Sequence, residues 1–217
     1  MSGQPHYRPP GAAALAEARE RLVALDPALA PLHAALPPFA WRIRPGGFHG
    51  LAKMIAQQQV SVASAAAIWA RVEAALGEVT AARVLAAADQ LTWFGLSRPK
   101  ARYLVALAEA VHARRIDFTA LREMNDAGAA AALTALSGVG PWTAETYLMF
   151  CEGRLDVFPG GDIALQEALR WVDRAEARPT EKAACLRAER WRPYRGVAAH
   201  LLWAGYRAVK AGEITLP

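Results

Sequence analysis

The chain has 217 residues, enough for one domain or two small ones and enough to bury a substantial hydrophobic core. Apolar residues make up 54% of it and charged residues 21%, which excludes a chain that is disordered throughout. The net charge of +5 favours an anionic partner, either nucleic acid or a membrane surface.

Two kinds of segment are not found in the sequence. No window approaches the ~18 consecutive apolar residues of a membrane span, and the N-terminus MSGQPHYRPPGAAA lacks the charged start and long apolar core of an export signal. The two cysteines, Cys151 and Cys185, form no Cys-x-x-Cys pair, and the five histidines have no metal-ligand spacing. We therefore expect a reducing, cytoplasmic protein with no disulfide framework, no zinc site, no iron–sulfur cluster and no membrane partner.

Helical periodicity recurs along almost the whole chain. Residues 1–10 carry three prolines and no apolar rhythm, so they are predicted to be disordered. Helices are expected over 12–25, from 48 to the QQQVS segment at 57–61, and over 62–76, 81–88, 99–115, 126–135, 141–151, 162–171, 179–190 and 194–212, with a short Pro-punctuated piece in 26–39. No stretch alternates β-branched and polar residues over a strand's length. The fold class is therefore predicted to be all-α, with about ten helices.

Local signals mark where two of these helices begin. Ser61 is a predicted N-cap, because it precedes a stripe of apolar residues at helical spacing: Val62, Ala65, Trp69, Val72 and Leu76. Ser97 is a second predicted N-cap, and Pro99 follows it in the first turn.

The stretch LSGVGPWTAETYLMF at 136–150 places Gly138 and Gly140 around one valine, between two apolar helical segments. Glycine adopts positive φ without a Cβ penalty and lets another molecule approach the backbone. Pro141 suits the first helical position, so the free N–H groups of the turn and helix start would point outward. The pattern predicts a helix–hairpin–helix motif whose turn binds a DNA phosphate. A plain helix–helix turn with a glycine C-cap is the alternative.

Leu136 and Val139 are the apolar residues expected to dock this hairpin onto the protein. Their backbone carbonyls are also candidate ligands for a monovalent cation, Na⁺ or K⁺, that bridges to the phosphate. Because such a turn touches only phosphate, its contact with DNA is expected to be independent of base sequence.

Asp162 follows Pro159-Gly160-Gly161 and begins a predicted helix, twenty residues after Trp142. Its simplest role is that of an N-cap. One helix and one loop separate it from the hairpin, a spacing that would bring its carboxylate back beside the bound phosphate. A carboxylate beside a polyanion is unfavourable unless a positive charge also arises there. A catalytic role is therefore the second interpretation of Asp162.

These motifs together resemble the HhH-GPD superfamily of DNA glycosylases, in which a helix–hairpin–helix is followed by a Gly/Pro-rich loop and an aspartate. The likeness is greatest to the bacterial 3-methyladenine DNA glycosylase II group and covers residues 48–206. Five motifs occur in the family's order: QQQVSVASAAAIWARV (57–72), GLSRPKARYLVALAEAV (95–111), the hairpin with Trp142, DVFPGGDIALQEAL (156–169) and RWRPYRGVAAHLLWAGY (190–206).

The resemblance implies a two-lobed helical fold and a monomeric enzyme of base excision repair that acts on double-stranded DNA at the nucleoid. A damaged nucleotide would be flipped out of the duplex into a pocket between the lobes. Asp162 would stabilise the oxocarbenium-like sugar, or orient and activate the attacking water, as the base leaves. At 4 Å and an effective dielectric constant near 20 that attraction is worth ~4 kcal/mol, or about a thousandfold in rate.

Trp142 bears on the reaction class and on the substrate. In the superfamily's lyase members, a lysine at this place in the hairpin forms a Schiff base with the sugar. Tryptophan has no nucleophile, so no AP lyase activity is expected. Alkylated purines of the 3-methyladenine and 7-methylguanine type are often cationic, and electron-rich rings attract such bases. The residues assigned to this base pocket are Trp142, Tyr194 and Trp191, with core packing as the alternative for each.

The other residues expected to contact DNA surround the hairpin and the QQQ run. Gln59 matches the position of a wedge that fills the space left by a flipped base, although a polar turn is the alternative. The full set predicted to bind DNA is Gln58, Gln59, Ser61, Lys100, Gly138, Val139, Gly140 and Thr143. Arg98 and Arg102 accompany Lys100, either as phosphate contacts or as a solvated helix face.

The domain prediction also follows from the resemblance. Residues 1–45 are expected to be partly disordered, then helical, and to pack on the second lobe, without the β-rich N-terminal domain of some members. Residues 46–212 form the predicted glycosylase core, with a central lobe at 50–150 and a second lobe completed by 155–212. Two other functions stay open: a glycosylase for a mismatched or oxidised base, and a non-catalytic DNA-binding module that keeps only the hairpin.

Overall fold

The computed structural model describes residues 11–215. Within them lie short 3₁₀ turns and twelve α-helices, and no β-strand. In chain order the α-helices are α1 (Ala12–Leu25), α2 (Ala30–Ala35), α3 (Gly47–Gln57), α4 (Val62–Leu76), α5 (Ala81–Ala86), α6 (Arg98–His112), α7 (Phe118–Glu123), α8 (Asp126–Thr134), α9 (Pro141–Phe150), α10 (Ile163–Val172), α11 (Glu181–Ala188) and α12 (Arg195–Lys210). The prediction of an all-α fold is confirmed. The predicted disorder of residues 1–10 concerns a segment outside the described residues.

Helix starts follow the sequence signals more closely than helix lengths do. Ser61 caps α4, because its Oγ accepts the backbone N–H of Ser64 at 3.2 Å. Ser97 occupies the N-cap position of α6, but its side chain makes no capping hydrogen bond in the described structure. The prediction missed α7, a six-residue helix capped by Asp117, since one and a half turns are too short to show a helical period.

The chain divides into two compact units. The terminal unit joins the described residues up to Ile43 with those from Gly153 onward, and the central unit is Arg44–Glu152. The helices α1, α2 and α10–α12 belong to the terminal unit, and α3–α9 belong to the central unit.

The core of the central unit forms around α3, which packs against α4, α6 and α9. Leu51 and Ile55, one turn apart on α3, are fully buried, as is Leu107 on α6. Burial of each such side chain is worth about 1.5–3 kcal/mol. The Tyr147 hydroxyl on α9 accepts the backbone N–H of Gly47 at 2.8 Å, so the start of α3 is fixed to α9 by a polar contact as well.

The terminal unit is built on α12, which packs against α1, α2 and α10. Gly205 on α12 lets α2 approach closely, because a Cβ at this position would lie 2.3 Å from a methyl carbon of Leu32. The N-terminal helices therefore complete the core of this unit around the last helix of the chain.

A buried ionic cluster within the terminal unit joins residues far apart in sequence. Asp26 is only 4% exposed, accepts the indole N–H of Trp191 at 2.8 Å and pairs with Arg187. Burial alone would raise the pKa of Asp26, but the hydrogen bonds from Arg187 and Trp191 and the charge of Arg187 outweigh it and leave the pKa below its ordinary 3.8. Asp26 is therefore ionised at neutral pH.

We expect Asp26→Asn to lower the free energy of unfolding by about 3 kcal/mol, because it removes the buried one of the two carboxylates that pair with the Arg187 guanidinium. Asp173→Asn is the matched control: Asp173 also binds Arg187, at 2.8 Å, but its side chain is 33% exposed, and an exposed pair is worth at most about 1 kcal/mol. Urea unfolding of both variants measures the difference. Equal losses would contradict a special role for the buried carboxylate.

The same cluster gives stability a pH dependence of known sign. The pKa of Asp26 is lowered in the folded chain, so its contribution is complete above the ordinary pKa of 3.8 and is lost as the pH falls through the lower native pKa. Thermal melting of the wild-type chain should therefore lose more stability across this acid window than melting of Asp26→Asn. Parallel pH profiles would show that the carboxylate is not the group responsible.

Candidate functional site

The predicted hairpin lies in the central unit, where the turn 135–140 joins α8 to α9. The backbone N–H of Val139 donates to the carbonyl of Leu136 at 3.1 Å, which closes the turn. Gly138 has φ +83°, in the left-handed region that favours glycine. Val139 is 5% exposed, so its buried side chain packs the turn against the rest of the unit, as predicted.

The two glycines of the turn have different surroundings. A Cβ at Gly138 would lie 2.3 Å from the Tyr103 ring on α6, whereas a Cβ at Gly140 would meet no atom within 4 Å. The φ of Gly140 is −85°, which any residue adopts. Packing and backbone conformation within the described chain therefore require glycine at Gly138 but not at Gly140, whose Cβ direction faces open space.

Gly138→Ala should therefore destabilise the chain by about 2 kcal/mol or more, since it adds backbone strain and displaces the Tyr103 ring. Gly140→Ala is the control and should keep the wild-type melting temperature, because its methyl group enters open space. Differential scanning calorimetry of the two variants tests this, and similar melting temperatures for both would contradict it.

The start of α9 has the features of an anion site. Gly140 is its N-cap, Pro141 holds the first helical position, and the first helical hydrogen bond runs from the Ala144 N–H to the Gly140 carbonyl at 3.0 Å. In any helix, the N–H groups of the first turn lack a carbonyl acceptor within the helix itself. Together with the positive end of the helix dipole they favour an anion beside the open face of Gly140.

A cleft of about 910 Å³ opens beside this helix start, within the central unit. It brings together six of the eight residues predicted to bind DNA, and Trp142 of the predicted base pocket lines it as well. The six are Gln58, Gln59, Lys100, Gly138, Gly140 and Thr143. Its lining residues include the cations Arg44 and Lys100 and, among the described residues that form it, no carboxylate. A positive, carboxylate-free cleft suits a polyanion.

Trp142 lies on the rim of this cleft and is 43% exposed. A half-exposed indole ring has a face on which a planar ring can stack. Ser61 is exposed beside the cleft, where it caps α4.

Two lining residues, Arg44 and Tyr103, were not predicted as site residues. The Arg44 guanidinium lies 4.9 Å from the centre of the Phe150 ring, a cation–π contact that holds the charge at the cleft. Neither residue has a local sequence signal, because Arg44 lies in an irregular loop and Tyr103 in the middle of a helix.

The half-buried Lys100 side chain is bonded to the backbone of the central unit. Its ammonium donates to the Ala56 carbonyl in the last turn of α3 at 2.9 Å, and burial lowers its pKa. The lysine therefore caps α3 and contributes positive charge at the cleft wall.

Asp162 belongs to the terminal unit and is the N-cap of α10, the simpler of its two predicted roles. Its Oδ1 accepts the backbone N–H groups of Ala164 and Leu165 at 2.9 and 3.0 Å. The indole N–H of Trp203 on α12 donates to the same oxygen at 3.1 Å. Three donors on one oxygen fix the orientation of the carboxyl group.

Trp203, which donates to Asp162, lies within an aromatic cluster of the terminal unit. Its ring edge lies against His200, with ring centres 5.9 Å apart, and His200 stacks on Trp41 at 4.1 Å. Burial lowers the pKa of His200 to about 4, so the imidazole is neutral at neutral pH. The indole that holds Asp162 is thus supported by an uncharged aromatic cluster.

The loop before Asp162 is fixed at both of its ends. Arg195 at the start of α12 donates to the Asp156 carboxylate at 2.9 Å and to the Asp156 carbonyl at 2.6 Å. At the other end, Gln166 donates to the Gly160 carbonyl at 2.8 Å, and a Cβ on Gly160 would lie 2.3 Å from the Cys185 sulfur. The Pro-Gly-Gly segment that precedes Asp162 is therefore part of a tightly packed loop, which fixes the backbone at the start of α10.

The two other aromatic residues predicted for the base pocket have different environments. Trp191 is fully buried, with its N–H on Asp26 and Arg187 over its ring at 4.9 Å. The expectation for Trp191 is therefore corrected: it is a core residue of the terminal unit. Tyr194 precedes α12 and is partly exposed.

The remaining expectations concern metals and membranes. The carbonyl of Leu136 accepts the Val139 N–H but has a second lone pair for a cation, so a monovalent ion on these two carbonyls stays a prediction. Among residues 11–215 no cluster of three or more His, Cys, Asp or Glu side chains has the arrangement of a metal site. No helix in this part of the chain combines the length and the apolar character that crossing a membrane requires.

Comparison with known proteins identifies the family of the chain. The family described as HhH-GPD superfamily base excision DNA repair protein matches residues 52–193. The crystal structure of a DNA-3-methyladenine glycosidase from Bacillus halodurans is 30% identical, with a TM-score of 0.82 over 89% of this chain and 91% of that chain.

Two further matches, one to a solved structure and one to a protein sequence, come from Schizosaccharomyces pombe. A 3-methyladenine DNA glycosylase solved in complex with abasic DNA is 23% identical, with a TM-score of 0.77 over 92% of this chain and 99% of that chain, a likeness of fold alone. DNA-3-methyladenine glycosylase 1 is 33% identical over 85 residues, 39% of this chain and 36% of that protein. The chain thus spans little more than a third of the length of that curated relative.

Proposed function

The chain belongs to the HhH-GPD superfamily of base excision DNA repair proteins, and on that premise we propose that it is a monofunctional DNA glycosylase. It hydrolyses the N-glycosidic bond of alkylated purines, of the 3-methyladenine and 7-methylguanine type, after the nucleotide is flipped out of the duplex. It acts on double-stranded DNA as a monomer in the cytoplasm, at the nucleoid.

The observation that carries the proposal is the cleft of the central unit. The open backbone at Gly140, the exposed Trp142 ring and the Gln58–Gln59 segment line one cavity that also holds two cations and, among its described lining residues, no carboxylate. Backbone N–H groups and cations suit a phosphate, and an exposed indole suits an electron-poor base. The alkylpurine specificity is supported by the relatives, which include the 30% identical DNA-3-methyladenine glycosidase.

Asp162 is the proposed catalytic carboxylate. Its bonds to Ala164, Leu165 and Trp203 preorganise a negative charge, which stabilises the positive charge that develops on the sugar as the base departs. The carboxylate also orients the water that attacks the sugar carbon. Water supplies the incoming oxygen, so the reaction needs no cofactor, and the proposed Na⁺ or K⁺ on the carbonyls of Leu136 and Val139 serves phosphate binding only.

Asp162→Asn should lower the rate of base release about a thousandfold and leave binding to damaged DNA intact. Asparagine is an equally good N-cap, and its Oδ1 can accept the same three N–H donors, so the fold is kept. The assay is single-turnover release of methylated purines from alkylated duplex DNA.

Asp117→Asn is the matched control for this substitution. Asp117 caps α7 through the N–H groups of Thr119 and Ala120, as Asp162 caps α10, but it lies on an exposed surface of the central unit. Its variant should release bases at the wild-type rate. Equal activity of all three proteins would remove Asp162 from the chemistry and defeat the assignment.

The product should be an intact strand that contains an abasic site, because Trp142 stands where the lyases of the superfamily carry a lysine nucleophile. Denaturing gels of end-labelled alkylated duplex should show strand breaks only after alkaline or heat treatment. Strand cleavage without that treatment, or a protein–DNA adduct trapped by borohydride, would show lyase activity and overturn the inference from Trp142.

A further inference from the structure

The side chain of Gln58 connects two distant parts of the central unit. Its Nε2 donates to the Gly138 carbonyl and to the Thr143 hydroxyl oxygen, both at 3.0 Å. These partners lie 80 and 85 residues further along the chain, one in the hairpin turn and one in the first turn of α9. The amide therefore spans the turn and the helix start that the proposed phosphate site uses.

These two bonds use both N–H groups of the Gln58 side-chain amide. A side-chain amide nitrogen has two N–H groups, and two acceptors are in place. Thr143 is 4% exposed, so the bond to it is partly shielded from water, which strengthens a hydrogen bond. Gln58 was predicted to bind DNA, but in the structure its donors bind the hairpin.

The next residue is held in an unusual conformation. Gln59 has φ +53°, the left-handed region that non-glycine residues seldom adopt, and its side chain is exposed on the cleft. Such strain persists only where the surrounding structure fixes it. Two contacts do so here: Gln58 is bonded to the hairpin, and Lys100 bonds the Ala56 carbonyl in the last turn of α3.

The bond to Thr143 also makes its hydroxyl oxygen a hydrogen-bond acceptor. The oxygen accepts from Gln58, so the single hydroxyl hydrogen is left to donate elsewhere. Thr143 stands in the first turn of α9, beside the backbone N–H groups of the proposed phosphate site.

We propose that Gln58 is a positioning residue that couples the phosphate-binding hairpin to the wedge residue Gln59. The amide holds Gln59 at a fixed distance from the bound DNA phosphate. When the hairpin binds that phosphate, Gln59 is therefore already placed to fill the position that the flipped base leaves. This inference rests on the proposed glycosylase function and assigns Gln58 a role distinct from direct contact with DNA.

The test compares two duplexes that differ only at one nucleotide. One contains a stable tetrahydrofuran analogue of an abasic site, and the other is intact. Fluorescence anisotropy gives Kd for each, and the readout is the preference, Kd of the intact duplex divided by Kd of the abasic duplex. Gln58→Met keeps the side-chain length but removes both donors and should reduce the preference about tenfold, the scale of one or two hydrogen bonds.

Gln90→Met is the matched control, the same substitution at an exposed glutamine outside the cleft lining, and it should keep the wild-type preference. Loss of affinity for both duplexes with the preference unchanged would overturn the proposal, because it would mean that Gln58 only supports the fold or binds DNA directly. Thermal melting of each variant identifies any that does not fold.

Thr143 provides a second, independent arm. Thr143→Val removes the acceptor and should lower the preference, while Thr143→Ser keeps the hydroxyl and should retain it. Because both residues share one bond, the Gln58→Met/Thr143→Val double variant should lose less than the product of the two single losses. Fully multiplicative losses would overturn the coupling.

The failure of this inference is distinguishable from failure of the proposed function. A wild-type chain with no preference for the abasic duplex and no base release would reject the glycosylase function itself. A wild-type chain with both properties, and a Gln58→Met variant that keeps the preference, would reject only the coupling role of Gln58.

Discussion

The hairpin turn exists in its observed form only because Gly138 carries no side chain. The Tyr103 ring occupies the space of the missing Cβ, and the positive φ at this residue closes the turn. With the turn docked in this way, the backbone at Gly140 faces open space and the N–H groups at the start of α9 lie at the cleft. A single steric constraint therefore fixes the backbone of the proposed anion site, and Gln58 links the neighbouring loop to that backbone through its bond to the Gly138 carbonyl.

Asp162 illustrates how one side chain can serve the fold and the proposed chemistry together. The bonds that make it an N-cap also hold its carboxyl group in one orientation, and Trp203 adds a third donor to the same oxygen. Electrostatic catalysis requires a charge that is already in place when the transition state forms. A carboxylate that caps the start of a helix meets this requirement, because its position is fixed by secondary structure rather than by flexible contacts. Capping and catalysis are thus compatible interpretations of Asp162.

The sequence predicted what depends on neighbours along the chain. Helical period, the cap at Ser61 and the glycine turn are local signals, and the all-α fold follows from them. Contacts across long separations could not be predicted: Trp203 reaches Asp162 over 41 residues, and Trp191 reaches Asp26 over 165. The burial of Trp191 shows the limit most clearly, since an aromatic residue beside a family motif suggests a pocket until its partner on another helix is known. The amino-acid type gives the available chemistry, and only the packing gives the environment.

Residues of one type acquire different roles in this chain through their surroundings. Gly138 is required by a ring that lies against it, and Gly140 has open space beside it. Gln58 has both amide donors bound inside the unit, while Gln59 is exposed at the same loop. In each pair, the residue that packs or bonds inside the unit fixes the local backbone conformation. The other residue exposes its backbone or its side chain. Fixed and exposed residues therefore alternate along the proposed DNA-binding surface. Because the phosphates of DNA are all alike, selectivity for one nucleotide in the proposed complex depends on the distance between rigid contacts rather than on their number.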